Sequence, residues 1–292
     1  MVNKTQNDIV KWYQYKPQEN EEINIMFVIG DITKAAKPNP EIEMTDGIKG
    51  EKWYFTNSAI VNAANPRLRG GSGIDKCIHS CFENLQRHTA VAKNEDIKSA
   101  PDHYTKDTQT TKGKQKQTIY LLNASQTLVD TVTDITPNVD YFHYEKIFHT
   151  ISVDKNTKNQ DSRDKLYKNT YKNIFGLACK NDIKYLFIPC LGTGIWGYPI
   201  DDAINNYATA TLEFLNNIKQ HVSLTHIVFV FYYGTNEYNK IESYYDKLFE
   251  VFHNNLGEGA LVEQKDYVGK KFYMPKEAKK EKYLYDKDEN SK

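Results

Sequence analysis

Asp75 and His79 stand four residues apart directly after the string Gly70-Gly71-Ser72-Gly73, a spacing that puts both on one face of a helix. A carboxylate and an imidazole held side by side can orient water or move a proton. Just upstream, Asn62 and Asn65 leave the apolar run Ala59 to Ala63, carrying amides whose donors and acceptors must all be used. The glycine string needs no basic side chain to hold an anion, because backbone N–H groups in a tight turn beside a helix start can surround phosphate oxygens. More than a hundred residues later the design recurs in Gly192-Thr193-Gly194-Ile195-Trp196-Gly197, again after a short apolar run. Two such loops, called loop one and loop two below, suit a diphosphate gripped from both sides.

Strands and helices must deliver these loops to one place. Ile23 to Ile29, Ala59 to Ala63, Thr118 to Leu122, Tyr185 to Cys190 and His226 to Tyr232 read as strands, with Trp53-Tyr54-Phe55 a short extra one. Helical spacing runs from Ile74 to Arg87, from an Asp161-Ser162 cap to Lys180, from Ile200 to Ile218, and from Asn239 to Phe252. Alternating strands and helices predict a three-layer α/β/α domain with a mostly parallel sheet. Ligands of such sheets lie beyond the carboxyl ends of the strands, where Asp31, loop one and loop two all fall. Residues 1–21 read as a docked arm, and 34–50 and 91–117 as loops. Residues 123–160 have no clear period, and 257–292 form a polar tail.

Composition narrows the partners. Basic and acidic residues balance at 38 each, so no overall field draws the chain to nucleic acid or to an anionic membrane. No N-terminal run has signal-peptide character, and no stretch approaches the ~20 apolar residues of a membrane span. The four cysteines, Cys77, Cys81, Cys179 and Cys190, lack Cys-x-x-Cys spacing and clustered metal ligands, which predicts reduced thiols, no metal and a cytoplasmic setting. A non-classical secretion route leaves no mark that composition can read.

Taken in order, the strings Asn62-Ala63-Ala64-Asn65, Gly70-Gly71-Ser72-Gly73, Ile74-Asp75 and Ile78-His79 resemble the macrodomain family, the ADP-ribose-binding α/β module. Within it they are most similar to the MacroD-type hydrolases. Loop two, with its Gly197-Tyr198-Pro199 exit, resembles the second phosphate loop of that family, and Gly30-Asp31-Ile32-Thr33 a weaker third motif. The likeness covers residues 22–90 and 115–255, implying one macrodomain over 22–256 with insertions near 34–57 and 91–160. Between the matching parts, the Gly-x-Ala pattern and the His-Thr-Val-Gly strand end of MacroD-type enzymes read as missing.

The resemblance implies a role for each site residue. Asp31 accepts from the exocyclic amine of adenine and the Ile32 N–H donates to a ring nitrogen, unless Asp31 merely caps a turn. Asn65 binds the distal ribose hydroxyls, while Asn62 either shares that task or braces the turn. Gly71, Ser72, Gly73 and Ile74 face one phosphate, and Gly192, Thr193, Gly194, Ile195 and Gly197 the other. Trp196 covers the distal ribose or packs in the core, and Tyr232, rather than Phe231, stacks on adenine. Asp75 is the residue chiefly tied to catalysis, with Asn65 and His79 assisting, and no cofactor is needed. The implied activity is hydrolysis of mono-ADP-ribose from modified proteins, chiefly Asp or Glu esters, or from small esters such as O-acetyl-ADP-ribose. A non-catalytic reader of ADP-ribose needs the same loops without Asp75. A poly(ADP-ribose)-cleaving enzyme lacks support, since no Glu-Glu pair adjoins loop one.

Overall fold

The computed structural model describes residues 8–18, 21–36, 53–68, 70–82, 85, 102–110, 113–121, 123–131, 137–139, 141–153, 159–217 and 223–232. It also describes short pieces at 250–251, 254, 261–265, 270, 274 and 280–282. For 102–121 only the backbone is described. The expected loop over 37–50, the segment 91–101 and nearly all of the expected helix over 239–252 lie outside the described residues.

Four strands form the parallel heart of the sheet with β3 (Trp53–Ala63): β2 (Glu21–Ile29), β9 (His226–Phe231), β8 (Tyr185–Pro189) and β7 (Tyr144–Thr150). Their spatial order is β2-β9-β8-β3-β7, all parallel. Side chains alternate across it with period two. Ile25, Phe27, Ile29, Ala59, Val61, Leu186, Ile188, Ile227 and Phe229 join one buried cluster with α2 (Gln160–Lys180) and α3 (Ile200–Asn216). Met26, Val28, Ile60, Phe187, Val228 and Val230 join the other, with Ile78 of α1 (Gly73–His79) and Ile32 of a 3-10 turn (Ile32–Lys34). Burial on both faces is why these strands read as unbroken apolar runs. The layers are α2 and α3, the sheet, then α1 and the 3-10 turn.

The flanks differ from the sequence expectations. Residues 8–18, expected as a docked arm, take the form of a strand: β1 (Asp8–Gln18) pairs antiparallel with β2 and buries Tyr13 edge-on to Phe27. The tail also enters the sheet, β10 (Leu261–Glu263) pairing with β1 and β11 (Lys280–Lys282) with β3. Trp53-Tyr54-Phe55 is the first part of β3, set off only by an irregularity between Phe55 and Ala59 near Asn57, whose φ is 58°. Part of the unassigned stretch is core, because β7 lies beside β3 and β6 (Thr127–Thr131) closes that edge antiparallel. Strands β4 (Asp102–Thr110) and β5 (Gly113–Leu121) pair antiparallel with each other, apart from the main sheet. Backbone pairing in a Thr-, Lys- and Gln-rich segment leaves no apolar period to read. Helix α1 ends at His79 rather than Arg87, and Cys81 and Phe82 follow in tighter i→i+3 turns. Helix α2 is capped two to three residues earlier than expected, by Asn159, whose side-chain Oδ1 accepts from the Ser162 N–H.

At the amino-terminal end of the interior strand β9, opposite the loops, burial pulls His226 down from 6.5 to about 4, its ring lying beside Tyr185. A depressed folded-state value favours folding above the unfolded value and loses that stability as pH falls between them. Urea unfolding from pH 7 to pH 4 is expected to lose up to about 3 kcal/mol through this histidine. His226→Gln should flatten that part of the profile, and an unchanged slope counts against the assignment.

Candidate functional site

Because the five core strands are parallel, their carboxyl ends share one rim, and each delivers a piece of the site there. Strand β2 ends in Gly30-Asp31, β9 in Tyr232, β8 in loop two, β3 in loop one, and β7 in Thr150-Ile151-Ser152. Phe231 points into the core beside Phe27, whereas Tyr232, just past the strand, is 57% exposed.

Loop one is built around Asp75. Its carboxylate is 2% exposed and accepts from the Asn62 amide at 2.8 Å, the Asn65 amide at 2.7 Å and the Asn65 backbone N–H at 3.3 Å. His79 Nδ1 lies 3.2 Å from Asp75 Oδ1 and 2.8 Å from the Asp75 carbonyl, with Nε2 3.4 Å from the Leu68 carbonyl. Burial pushes the Asp75 carboxyl upward, but the His79 hydrogen bond and charge and the Asn62 and Asn65 amides outweigh it, leaving a net downward shift. Burial pulls His79 down, and its contacts with Asp75 and Leu68 more than reverse that, because both ring nitrogens face acceptors. Each group thus favours the charged form of the other, and hydrogen bonds surround both. Asn62 is wholly buried, and its amide nitrogen braces Asp75 and His149; its oxygen has no hydrogen-bond partner. Asn65 accepts from the Arg67 N–H at 2.9 Å, an Asx turn that fixes the start of the loop.

The glycines of loop one differ in purpose. Gly70 has φ 69°, and a Cβ there falls 2.9 Å from the His79 ring. Gly71 is exposed, and a Cβ there lies in ordinary contact at 3.5 Å with both Asn65 Nδ2 and Asp75 Oδ2, so it lies directly over these atoms. Ser72, exposed and extended, precedes α1 without capping it by its side chain. Gly73 is exposed and Ile74 half-buried against the core beneath α1.

Loop two rests on tyrosines. The Tyr198 ring stacks on Tyr167 at 4.6 Å, the Tyr167 hydroxyl donates to the Leu191 carbonyl at 2.7 Å, and the Tyr198 hydroxyl donates to Asp164 at 2.6 Å. The Gly197 N–H donates to the Gly194 carbonyl and the Tyr198 N–H to the Gly192 carbonyl, each at 2.9 Å, and Thr193 bonds the Cys190 carbonyl. At Gly192 (φ 75°) a Cβ falls 2.6 Å from the Ser152 hydroxyl, so loop two packs directly on the exit of β7. Ile195 is 79% exposed at the tip, Gly194 is exposed, and Trp196 is half-buried.

Asp31 caps the 3-10 turn, its Oδ1 accepting from the Thr33 N–H at 3.0 Å and the Thr33 hydroxyl at 2.7 Å, while Oδ2 lies 3.6 Å from Lys34. Asp31 thus caps the turn through Oδ1, with Oδ2 turned toward the side where Lys34 lies. Ile32 is buried, and its carbonyl accepts from the Tyr144 hydroxyl, which pins the turn to β7. Among the described residues no group of three or more His, Cys, Asp or Glu is arranged to hold a metal ion.

Sequence reasoning missed His149, Asp130, Tyr144 and Tyr167, all buried supports in segments without a readable period or on helix faces assigned only to packing. One signal was present. His149-Thr150 ends β7 and matches the first half of the His-Thr-Val-Gly string read as missing, the departure being only Ile151-Ser152.

Comparison with known proteins agrees with this architecture. A Macro domain family model matches residues 131–206. The chain superimposes on an Oceanobacillus iheyensis macrodomain variant solved with ADPR at a TM-score of 0.53, with 20% identity, covering 81% of this chain and 98% of that one. The chain has the fold of a macrodomain. An ADP-ribose glycohydrolase MACROD2 of Xenopus laevis is 27% identical over 184 residues, 63% of this chain but only 36% of the frog protein. An O-acetyl-ADP-ribose deacetylase of an Enterobacter strain is 26% identical over 178 residues, 60% of this chain and 79% of that protein. In this fold the sheet, the two glycine loops and the Asp75 cluster share one rim.

The two loop-one glycines make a paired prediction. Gly70→Ala should cost about 2 kcal/mol, because it combines a left-handed φ with a clash against His79. Gly71→Ala should leave thermal unfolding nearly unchanged yet weaken ADP-ribose binding, since its methyl covers Asn65 and Asp75. Calorimetry of both variants checks the first half and titration with ADP-ribose the second.

Proposed function

We propose that this macrodomain binds ADP-ribose across loops one and two and hydrolyses mono-ADP-ribose from Asp or Glu side chains of modified proteins. Small ADP-ribose esters such as O-acetyl-ADP-ribose are further substrates on this reading. The observation that carries it is the Asp75 cluster, which fixes Asn62, Asn65 and loop one at the end of β3, beside loop two. The hydrolase and deacetylase names of its relatives point the same way.

On this reading the amides of the two loops hold the diphosphate, and Asn65 and the half-buried Trp196 place the distal ribose. Such preorganised donors lower the barrier by holding the reacting groups still. Water adds to the anomeric carbon, the bond to the side-chain carboxylate oxygen breaks with its electron pair, and the water proton passes to a neighbouring oxyanion. The products are ADP-ribose and the free side chain. A carboxylate with a lowered pKa is a weak proton acceptor, so Asp75 serves mainly by orienting Asn65 and the water. The diphosphate oxygens, phosphodiester-like anions, are weaker bases still; they hold the water by accepting its hydrogen bond, and its proton leaves with the departing carboxylate.

One observation favours a second reading. Asp75 is nearly inaccessible and both its oxygens already accept hydrogen bonds, as a reader that only needs a rigid loop also requires. Wild type and Asp75→Asn, each incubated with a protein mono-ADP-ribosylated on Glu, decide between them. Hydrolysis predicts release by wild type that falls at least about 100-fold in the variant, while ADP-ribose affinity changes less. Binding without release by either protein selects the reader, and failure of wild type to bind removes both.

A further inference from the structure

The hydrogen bonds around Asp75 continue beyond Asn62. The Asn62 amide nitrogen carries two hydrogens: one goes to Asp75 Oδ1 at 2.8 Å and the other faces His149 Nδ1 at 3.0 Å. A nitrogen that receives an N–H must present its lone pair, which leaves the His149 proton on Nε2. Nε2 in turn lies 3.2 Å from Asp130 Oδ2. That contact is bent out of hydrogen-bond alignment and His149 Nε2 has no hydrogen-bond partner; the Asp130 carboxylate, 3.2 Å away, is the negative group that favours the proton on this nitrogen. All three side chains are buried, Asn62 and His149 completely and Asp130 to 3% exposure.

The line crosses the sheet through neighbouring strands. Asp130 belongs to β6, His149 to β7 and Asn62 to β3, and Asn62 and His149 are direct register partners. The ring of His79, on the far side of Asp75, meets the His149 ring edge-on at 6.1 Å. Rotating the Asn62 amide by half a turn points its oxygen at the Asp75 carboxylate and at the His149 lone pair. Two acceptor–acceptor contacts in a buried site are costly, so the amide has one permitted orientation. The proton on His149 Nε2 thereby settles whether Asp75 Oδ1 has its donor.

We propose that His149, held with its proton on Nε2 by Asp130, is a positioning residue that fixes the Asn62 amide and through it the Asp75 carboxylate beneath loop one. Its kinetic consequence rests on the hydrolase reading above; its structural content does not. A histidine that only fills space between β6 and β7 has no need of a particular protonated nitrogen and no specific tie to turnover.

Long-range 1H–15N correlation on the full-length protein reads the tautomer directly, with the signal assigned by its loss in His149→Asn. The expected spectrum shows Nδ1 unprotonated and Nε2 protonated, and Asp130→Ala should move the ring toward the other tautomer. In release assays, His149→Leu, which removes the acceptor, should lower kcat by about 50-fold while KM changes by less than about fivefold. His149→Asn, whose Oδ1 falls near the position of Nδ1, should recover about tenfold of that loss. A wild-type ring protonated on Nδ1, or equal losses in both variants that simply follow their melting temperatures, overturns the proposal. If wild type binds ADP-ribose without releasing it, the hydrolase reading fails, and the tautomer with its response to Asp130→Ala still decides the positioning role.

Discussion

A carboxylate taken out of water costs several kcal/mol unless other donors replace its hydration. For Asp75 those donors come from places the chain had no local reason to join: the end of β3, the turn after it and the last residue of α1. Their arrangement therefore serves two ends. It makes burial of the charge tolerable, and it ties Asn62, Asn65 and His79 to fixed positions. Gly70 belongs to the same constraint, because the His79 ring reaches Asp75 only where no side chain intervenes.

The sheet supplies the frame on which this charge is held. Five parallel strands, apolar on both faces, bring five loops to one rim, so the distances between loops are fixed by strand spacing rather than by the loops. Each loop is then secured differently: loop one by a charge, loop two by a tyrosine stack, and the Asp31 turn by the Tyr144 hydroxyl from β7. The aromatic supports lie under the backbone rather than beside a ligand. Loop shape thus depends on residues well separated from it in sequence.

Legibility followed physical signal. The core strands were readable because two-sided burial demands continuous apolar runs, and the glycine loops because few other residues permit those turns. Residues 8–18 and the short strands β10 and β11 were not readable. Strands on the flank of the sheet, such as these, gain their place from backbone pairing, and polar side chains satisfy it as well as apolar ones. Within the site, Asp75 and His79 stood out as reactive types at helical spacing, but their mutual contacts with Asn62 and Asn65 depended on how the loop folds back. His149 and Asp130 were hidden more deeply, since a histidine in a buried strand carries no mark of the side chain that meets it across the sheet.

The antiparallel flank and the parallel heart also set an order of assembly. Strand β2 pairs on one side with β1, its immediate predecessor, and on the other with β9, where Asn24 meets His226. On the ribosome the β1–β2 pair emerges first and waits, with one edge bare, until nearly the whole domain has been made. The sheet then closes through contacts of very high sequence separation, which makes folding slow and leaves an exposed apolar edge in the interval. The rim that gathers five loops for a ligand thus carries a cost during synthesis: the newborn chain is exposed to aggregation for as long as β9 is missing.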